Sequence, residues 1–213
     1  MNITFISDTH TYHEKFTKQL PGGETLVCSG DMTSRGYSWE FEKFIQWFDQ
    51  LDYKNKIFIA GNHDFVFEEH PSLIKEIMTN FPNIIYLENS EVIIDGIKFW
   101  GSPYTPRFHD WAFNVDRGEK IRNHWDMIPE DTDILITHGP PMGILDFTVR
   151  DKINVGCEEL MKVIDDKLKL KIHVFGHIHE GYGIVEKENM KFINASLLDE
   201  TYDWVNKPII VDI

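Results

Sequence analysis

The chain has 213 residues, 42% of them hydrophobic, enough for one domain over residues 1–213 with a sizeable core, since single cores stop growing near roughly 250 residues. Its 35 acidic and 21 basic residues give a net charge of −14, which repels phosphate backbones and argues against a long nucleic acid as partner, because no Lys/Arg run makes a basic patch. Two cysteines (Cys28 and Cys157), no apolar run near the ~20 residues of a membrane span, and a first strand beginning by residue 3 lead to the expectation of a cytoplasmic protein with no disulfide framework, membrane partner or signal peptide.

Short apolar runs bounded by Gly, Asp or Asn recur along the chain, at 3–6, 25–28, 56–60, 84–87, 92–94, 97–100, 134–137, 172–175, 182–185, 190–195 and 209–211. Their length and β-branched content predict strands, and several are apolar at consecutive positions, as in strands covered on both faces. Between them, Phe41, Phe44, Ile45 and Phe48 fall at helical spacing, as do Cys157, Leu160, Met161, Ile164 and Leu168. Pro71 predicts the first turn of a helix ending near Met78, and a weaker helical pattern covers 118–128. Asp95-Gly96, between the runs 92–94 and 97–100, predicts a hairpin turn. The fold class is α/β, a sandwich of mixed sheets with helices outside.

Five of the strands run into polar clusters: Asp8-Thr9-His10, Gly30-Asp31, Gly61-Asn62-His63-Asp64, Thr137-His138-Gly139 and Gly176-His177-Ile178-His179. Strand ends are where open α/β sheets place their ligands. Asp8 and His10 are two apart, a spacing that puts both side chains on one side of an extended chain. Asp31 offers two oxygens that can bridge two cations. Asn62 offers a neutral carbonyl oxygen, His138 an imidazole, and His177 and His179 repeat the two-apart spacing. This nitrogen and oxygen set, without thiolate, suits two divalent transition-metal ions, with Mn²⁺ first and Fe, Zn²⁺, Co²⁺ or Ni²⁺ as alternatives. Such a pair clamps a phosphoryl group and activates a water, held between the ions as a bridging hydroxide, without a side-chain base. His63, next to a ligand and directed elsewhere, is the candidate catalytic acid or charge stabiliser at the leaving oxygen. Asp64 is expected to brace the loop.

In this order the clusters resemble the calcineurin-like metallophosphoesterase superfamily, whose motifs run Asp-x-His, Gly-Asp, Gly-Asn-His-Asp/Glu, a His often followed by Gly, and Gly-His-x-His. The resemblance covers nearly the whole chain. It implies an αββα sandwich, one metal held by Asp8, His10, Asp31 and His179, and a second held by Asp31, Asn62, His138 and His177. Trp100-Gly101-Ser102-Pro103, Thr137-His138-Gly139-Pro140-Pro141, the segment from His173 to Gly183 and Ile193-Asn194-Ala195-Ser196 look like the metallophosphoesterase-domain-containing group. That narrower likeness implies phosphodiesterase activity, including on cyclic nucleotides.

One departure from a related pattern bears on substrate. Gly30-Asp31-Met32-Thr33-Ser34-Arg35-Gly36 has the spacing of the protein Ser/Thr phosphatase motif Gly-Asp-x-x-Asp-Arg-Gly, with Ser34 in place of the second Asp and Arg35 kept. Arg35 is therefore a candidate substrate-binding residue, with a surface ion pair as the competing reading. The expected substrate is a small phosphodiester such as a cyclic nucleotide, since the acidic surface disfavours polymers and Arg is scarce near the motifs. The rivals are a phosphomonoesterase or protein phosphatase, then a nuclease or a binding scaffold without catalysis. The aromatic segment 102–117 is a candidate pocket wall. His13, His70, His109, His124 and His173 read as structural, and Cys157 as core.

Overall fold

The computed structural model describes residues 1–213, and the eleven predicted strands are all present. In chain order the elements are β1 (Asn2–Ile6), β2 (Gly23–Cys28), α1 (Ser38–Gln50), β3 (Tyr53–Phe58), α2 (Phe65–Glu69), α3 (Pro71–Met78), β4 (Ile84–Tyr86), β5 (Ser90–Ile94), β6 (Ile97–Ser102), β7 (Thr105–Pro106) and β8 (Asn114–Val115). Then follow α4 (Glu119–Trp125), β9 (Ile134–Thr137), β10 (Phe147–Thr148), β11 (Ile153–Asn154), α5 (Glu158–Lys167), β12 (Ile172–Phe175), β13 (Gly183–Lys187), β14 (Met190–Asn194) and β15 (Ile209–Asp212).

Two mixed sheets dominate. One has the order β15-β1-β2-β3-β4, the other β13-β14-β12-β9-β6-β5. In the first, β1 to β4 are parallel and β15 closes one edge antiparallel to β1. In the second, β14, β12, β9 and β6 are parallel, and β13 and β5 are antiparallel edges made by hairpins. The β5–β6 turn is the predicted Asp95-Gly96, with φ of 50° and 82°, the positive pair that a tight hairpin matched to sheet twist requires.

Period-two alternation sorts each strand between two cores. Ile3, Phe5, Val27 and Ile57 of the first sheet meet Phe99, Ile134, Ile136, Ile172 and Val174 of the second in a buried layer between the sheets. The opposite face of the first sheet (Ile6, Leu26, Cys28, Phe58) packs on Phe41, Phe44, Ile45 and Phe48 of α1, the predicted stripe. Trp100, Leu135, Phe175 and Phe192 on the outer face of the second sheet pack on Trp125 of α4 and Leu160, Val163 and Ile164 of α5. The result is four layers in the order helix, sheet, sheet, helix. Strands buried on both faces must read as continuous apolar runs, which is why ITFI and ILIT show no polar alternation.

Several elements lie outside the sequence prediction. A 3-10 helix at His13–Gln19, the short α2, and the pairs β7–β8 and β10–β11 are held by neighbours rather than by a long apolar period. Cys157 is the N-cap of α5, where its Sγ accepts from the Leu160 N–H at 3.4 Å and the Trp125 Nε1–H at 3.3 Å. Burial pushes that thiol up, in keeping with a core role. No helix is long and apolar enough to cross a membrane.

Candidate metal centre

The carboxyl ends of β1, β2 and β3 deliver Asp8, Asp31 and Asn62 from one sheet, and those of β9 and β12 deliver His138, His177 and His179 from the other. Three groups form where they meet: Asp8, His10 and His179; His10, Asp31 and His63; and Asp31, His138 and His177, with the ligand atoms of each group within 4.8 Å of one another. Asn62 joins them through its Oδ1, 2.9 Å from His138 Nε2, so all seven residues expected to hold metal converge. His177 and His179 diverge to different groups, and Asp31 lies in two.

Two local expectations need correcting. Asp8 and His10 reach the same side not by strand alternation but because the chain leaves β1 through left-handed backbone, with φ of 53° at Asp8 and 38° at His10. Asp31 (53°) and His177 (67°) share that sparsely populated region, which non-glycine residues hold only where surrounding contacts over-determine it. Nor does Asp31 offer both oxygens to the centre. Its Oδ1 accepts the His63 N–H at 2.8 Å, and only Oδ2 faces His138 Nε2 at 3.3 Å and His10 Nε2 at 3.7 Å.

Two glycines make room for this convergence. A methyl on Gly176 would collide with the Asp8 carboxylate and the Ser7 side chain, and one on Gly61 would lie 2.7 Å from the His138 ring and run into Asp31. The imidazoles are oriented from outside. His10 Nδ1 faces the Thr33 carbonyl at 3.2 Å, His138 Nδ1 the Ser29 carbonyl at 2.9 Å, and His179 Nδ1 the Asp199 carbonyl at 2.9 Å. A carbonyl only accepts, so each ring carries an N–H at Nδ1 and turns Nε2 inward, the orientation metal-binding imidazoles adopt.

The electrostatics follow from burial. Asp8 is wholly inaccessible and Asp31 only 2% exposed. Burial alone would raise both carboxyls. The hydrogen bond and charge of His179 outweigh it at Asp8, and His138, His63 and His10 outweigh it at Asp31, so both stay below the usual carboxylate range. Burial would equally lower His138 and His179, but the neighbouring Asp31 and Asp8 carboxylates push each up to about 9. At His10 burial prevails and the imidazole is pushed down to about 4. Asp64, raised to about 6 by burial and then by the Asp31 charge, braces the loops by accepting the N–H groups of Gly61 at 2.8 Å and Thr33 at 2.9 Å.

The residues fit a pair of divalent cations. Ligand atoms around a cation at about 2.0–2.2 Å stand roughly 3–3.5 Å apart. The separations here are 3.5 Å for His179 Nε2 to Asp8 Oδ1, 3.3 Å for His138 Nε2 to Asp31 Oδ2 and 2.9 Å for His138 Nε2 to Asn62 Oδ1. His10 Nε2 is buried with no hydrogen-bond partner, an expensive state that a cation would relieve.

His63 stands at the rim, half-buried. Its Nδ1 faces the Ser34 carbonyl at 2.9 Å, so the residue that replaces the second Asp of the phosphatase motif holds the ring through its main chain. The His63 ring lies 4.2 Å from Trp111 and 4.6 Å from His10, centroid to centroid. Trp111 belongs to the aromatic segment, which is pinned to the site by the Ala112 N–H on the Asn62 carbonyl at 3.2 Å. Phe108 of the same segment lines a cavity of about 480 Å³ with Arg150, His177, His179 and Tyr202. Arg35 is exposed and forms no ion pair. It lines a cavity of about 490 Å³ with Ser34, Tyr37, His63, Phe65 and Trp111.

Sequence reasoning missed Arg150 and Tyr202. The Tyr202 ring lies 5.0 Å from His10 and 5.2 Å from His179, on a loop whose Asp199 carbonyl orients His179. Neither residue carries a motif, and only the folded loops bring them in. His13 and His173 are buried away from the site, against Phe44 and Trp47 and against Phe175 and Phe192 respectively.

Fold and site together define a metal-dependent phosphoesterase. The chain belongs to the calcineurin-like phosphoesterase family, whose model matches residues 1–181. It is 40% identical over 228 residues to Metallophosphoesterase domain-containing protein 1 of Homo sapiens, covering 98% of this chain and 69% of that protein. It is 33% identical over 239 residues to UPF0046 protein T07D4.2 of Caenorhabditis elegans, where it spans 60% of the longer relative. Among solved structures, TT1561 of Thermus thermophilus has the same fold, with a TM-score of 0.62 at 14% identity over 91% of this chain and 88% of that one.

Proposed function

We propose that this chain hydrolyses small phosphodiesters, cyclic nucleotides among them, at a centre where Asp8, His10, Asp31 and His179 hold one divalent ion and Asp31, Asn62, His138 and His177 the other. Mn²⁺ is the first choice for both. When bound, such ions acidify water and draw charge from the phosphoryl oxygens. The reading rests on one observation: cavities flank the centre in two places, one beside His63 and a pair that share His177, one of which also reaches His179. An open-chain diester has two arms to accommodate, a monoester only one.

The protein's own groups divide the remaining work. Water adds its oxygen to phosphorus, the bond to the departing oxygen breaks, and that oxygen takes a proton. With Nδ1 committed to the Ser34 carbonyl, His63 donates from Nε2 and is recharged from solvent. Trp111 keeps the imidazole plane in place and excludes water from one side of it. Asp64 fixes the loop on which His63 stands. A monoesterase is the rival that Arg35 favours, because an unpaired guanidinium beside the acid suits a doubly charged phosphate.

The test compares turnover of bis-aryl phosphate with that of the matching aryl phosphate by Mn²⁺-loaded protein. Diester turnover exceeding monoester turnover is the expected result. A clear monoester preference overturns the substrate class while leaving the metal centre standing.

A further inference from the structure

The chain has five arginines. Arg107, Arg117 and Arg122 are tied to Asp116, Glu158 and Asp126. Arg35 and Arg150 pair with no carboxylate, although acidic residues far outnumber basic ones, and each lines a cavity that holds a site histidine. The two cavities differ in charge. Arg150 shares its cavity with Glu180 and Glu200. In the other cavity Arg35 is the only Lys, Arg, Asp or Glu, lining it with Ser34, Tyr37, His63, Phe65 and Trp111. Buried Glu40 spends Oε2 on the main-chain N–H groups of Arg35 at 3.0 Å and Tyr37 at 3.1 Å. It thereby fixes the segment that presents Arg35 without neutralising the guanidinium.

The departing arm must lie on the His63 side, because His63 is the group placed to protonate the departing oxygen. We propose that the cavity beside His63 is the leaving-arm subsite, and that Arg35, with Tyr37 and Trp111, selects a planar leaving arm bearing an anionic group, a carboxylate or a further phosphate. This rests on the diester reading above. The aromatic rings supply flat apolar walls, with Trp111 5.9 Å from Phe65, and the guanidinium supplies a fork that matches a carboxylate or phosphate. The mixed cavity beside His177 and His179 imposes no such preference on the retained arm, since two carboxylates line it along with its arginine.

An asymmetric diester reads this out as a product ratio rather than a rate. Phosphate esterified to phenol on one arm and to 3-hydroxybenzoate on the other offers two leaving groups of similar basicity that differ in charge. Mn²⁺-loaded wild-type protein is expected to release hydroxybenzoate over phenol by about tenfold in the initial products, the size of one charge-assisted hydrogen bond. Arg35→Gln should bring the ratio towards one, Arg35→Lys should keep part of it, and Arg150→Gln should leave it in place. A second substrate carrying phosphate in place of the carboxylate distinguishes the two anions by which gives the larger ratio. A wild-type ratio near one for both substrates, or an unchanged ratio in Arg35→Gln, overturns the inference while the diester reading survives. Failure to cleave any diester, with the monoester turned over, overturns the diester reading and this inference with it.

Discussion

The floor of the site and its walls are built on opposite principles. The floor is seven residues at the ends of five parallel strands. Six of them are nearly inaccessible, three of the four imidazoles are oriented by main-chain carbonyls, and four of the seven backbones are locked in left-handed conformation. The walls are loop side chains: exposed Arg35 and Arg150, half-buried Trp111, and Tyr202 at 45% exposure. Rigid strand ends fix atoms closely enough to hold cations, whereas loops can vary without disturbing them. On the proposed reading, the floor decides the kind of reaction and the walls decide what reacts.

That division can be broken most forcefully at Asp31, whose Oδ2 alone faces both sides of the centre. Asp31→Asn is expected to cut turnover by about 10³-fold or more, the scale of losing a principal electrostatic group, and to lower metal content with it. Turnover near wild type would remove Asp31 from the centre. His63→Ala should cost about 10²–10⁴-fold, with metal content retained, and the loss should be greater for alkyl than for nitrophenyl leaving arms, which need no proton. Metal loss in His63→Ala would make His63 a ligand instead, which its place in the group with His10 and Asp31 leaves geometrically open.

The electrostatics of the floor sharpen the comparison through pH. In the ion-free protein His138 and His179 are pushed up to about 9, against about 6.5 when unfolded. The folded state therefore binds more protons between those values, so this contribution to stability is complete below about 6.5 and is lost as pH rises through about 9. Metal binding must displace the same protons. Apparent Mn²⁺ affinity should accordingly rise with pH up to about 9 and then level, and calorimetry in buffers of different ionisation enthalpy should show protons released. Affinity that falls with pH over this range would contradict the assignment.

Two glycine substitutions make the smallest and most local contrast. Gly176→Ala forces a methyl into Asp8 and Ser7 and is expected to destabilise by about 1–3 kcal/mol or more, with loss of metal. Gly96→Ala, at the β5–β6 turn, meets no atom within 4 Å but has a φ of 82°. It should cost about 1 kcal/mol through backbone strain alone and leave metal content unchanged. Thermal melts with and without Mn²⁺ distinguish the two.

How much was legible in the sequence follows the same division. Strands such as 134–137 and helices such as α1 show themselves by period and length, because burial on one face or two dictates residue type. The floor was legible because each of its residues sits at a strand end beside a glycine or another polar group, and local spacing survives folding. The left-handed turns at Asp8 and Asp31 were not, since no residue type there demands positive φ and tertiary contacts impose it. Trp111 was legible only as part of an aromatic segment. Arg150 and Tyr202 were invisible, because their distance from the motifs is short in space and long in sequence.

The central claim is that two cations are held together by side chains from both sheets. Titration of Mn²⁺ into metal-free protein, followed by calorimetry and by the spin-coupled electron paramagnetic resonance of adjacent ions, tests it most directly. The account predicts two ions per chain with a coupled spectrum in the wild type, and loss of the coupled signal in Asp31→Asn. One uncoupled ion per chain, or none, would contradict it.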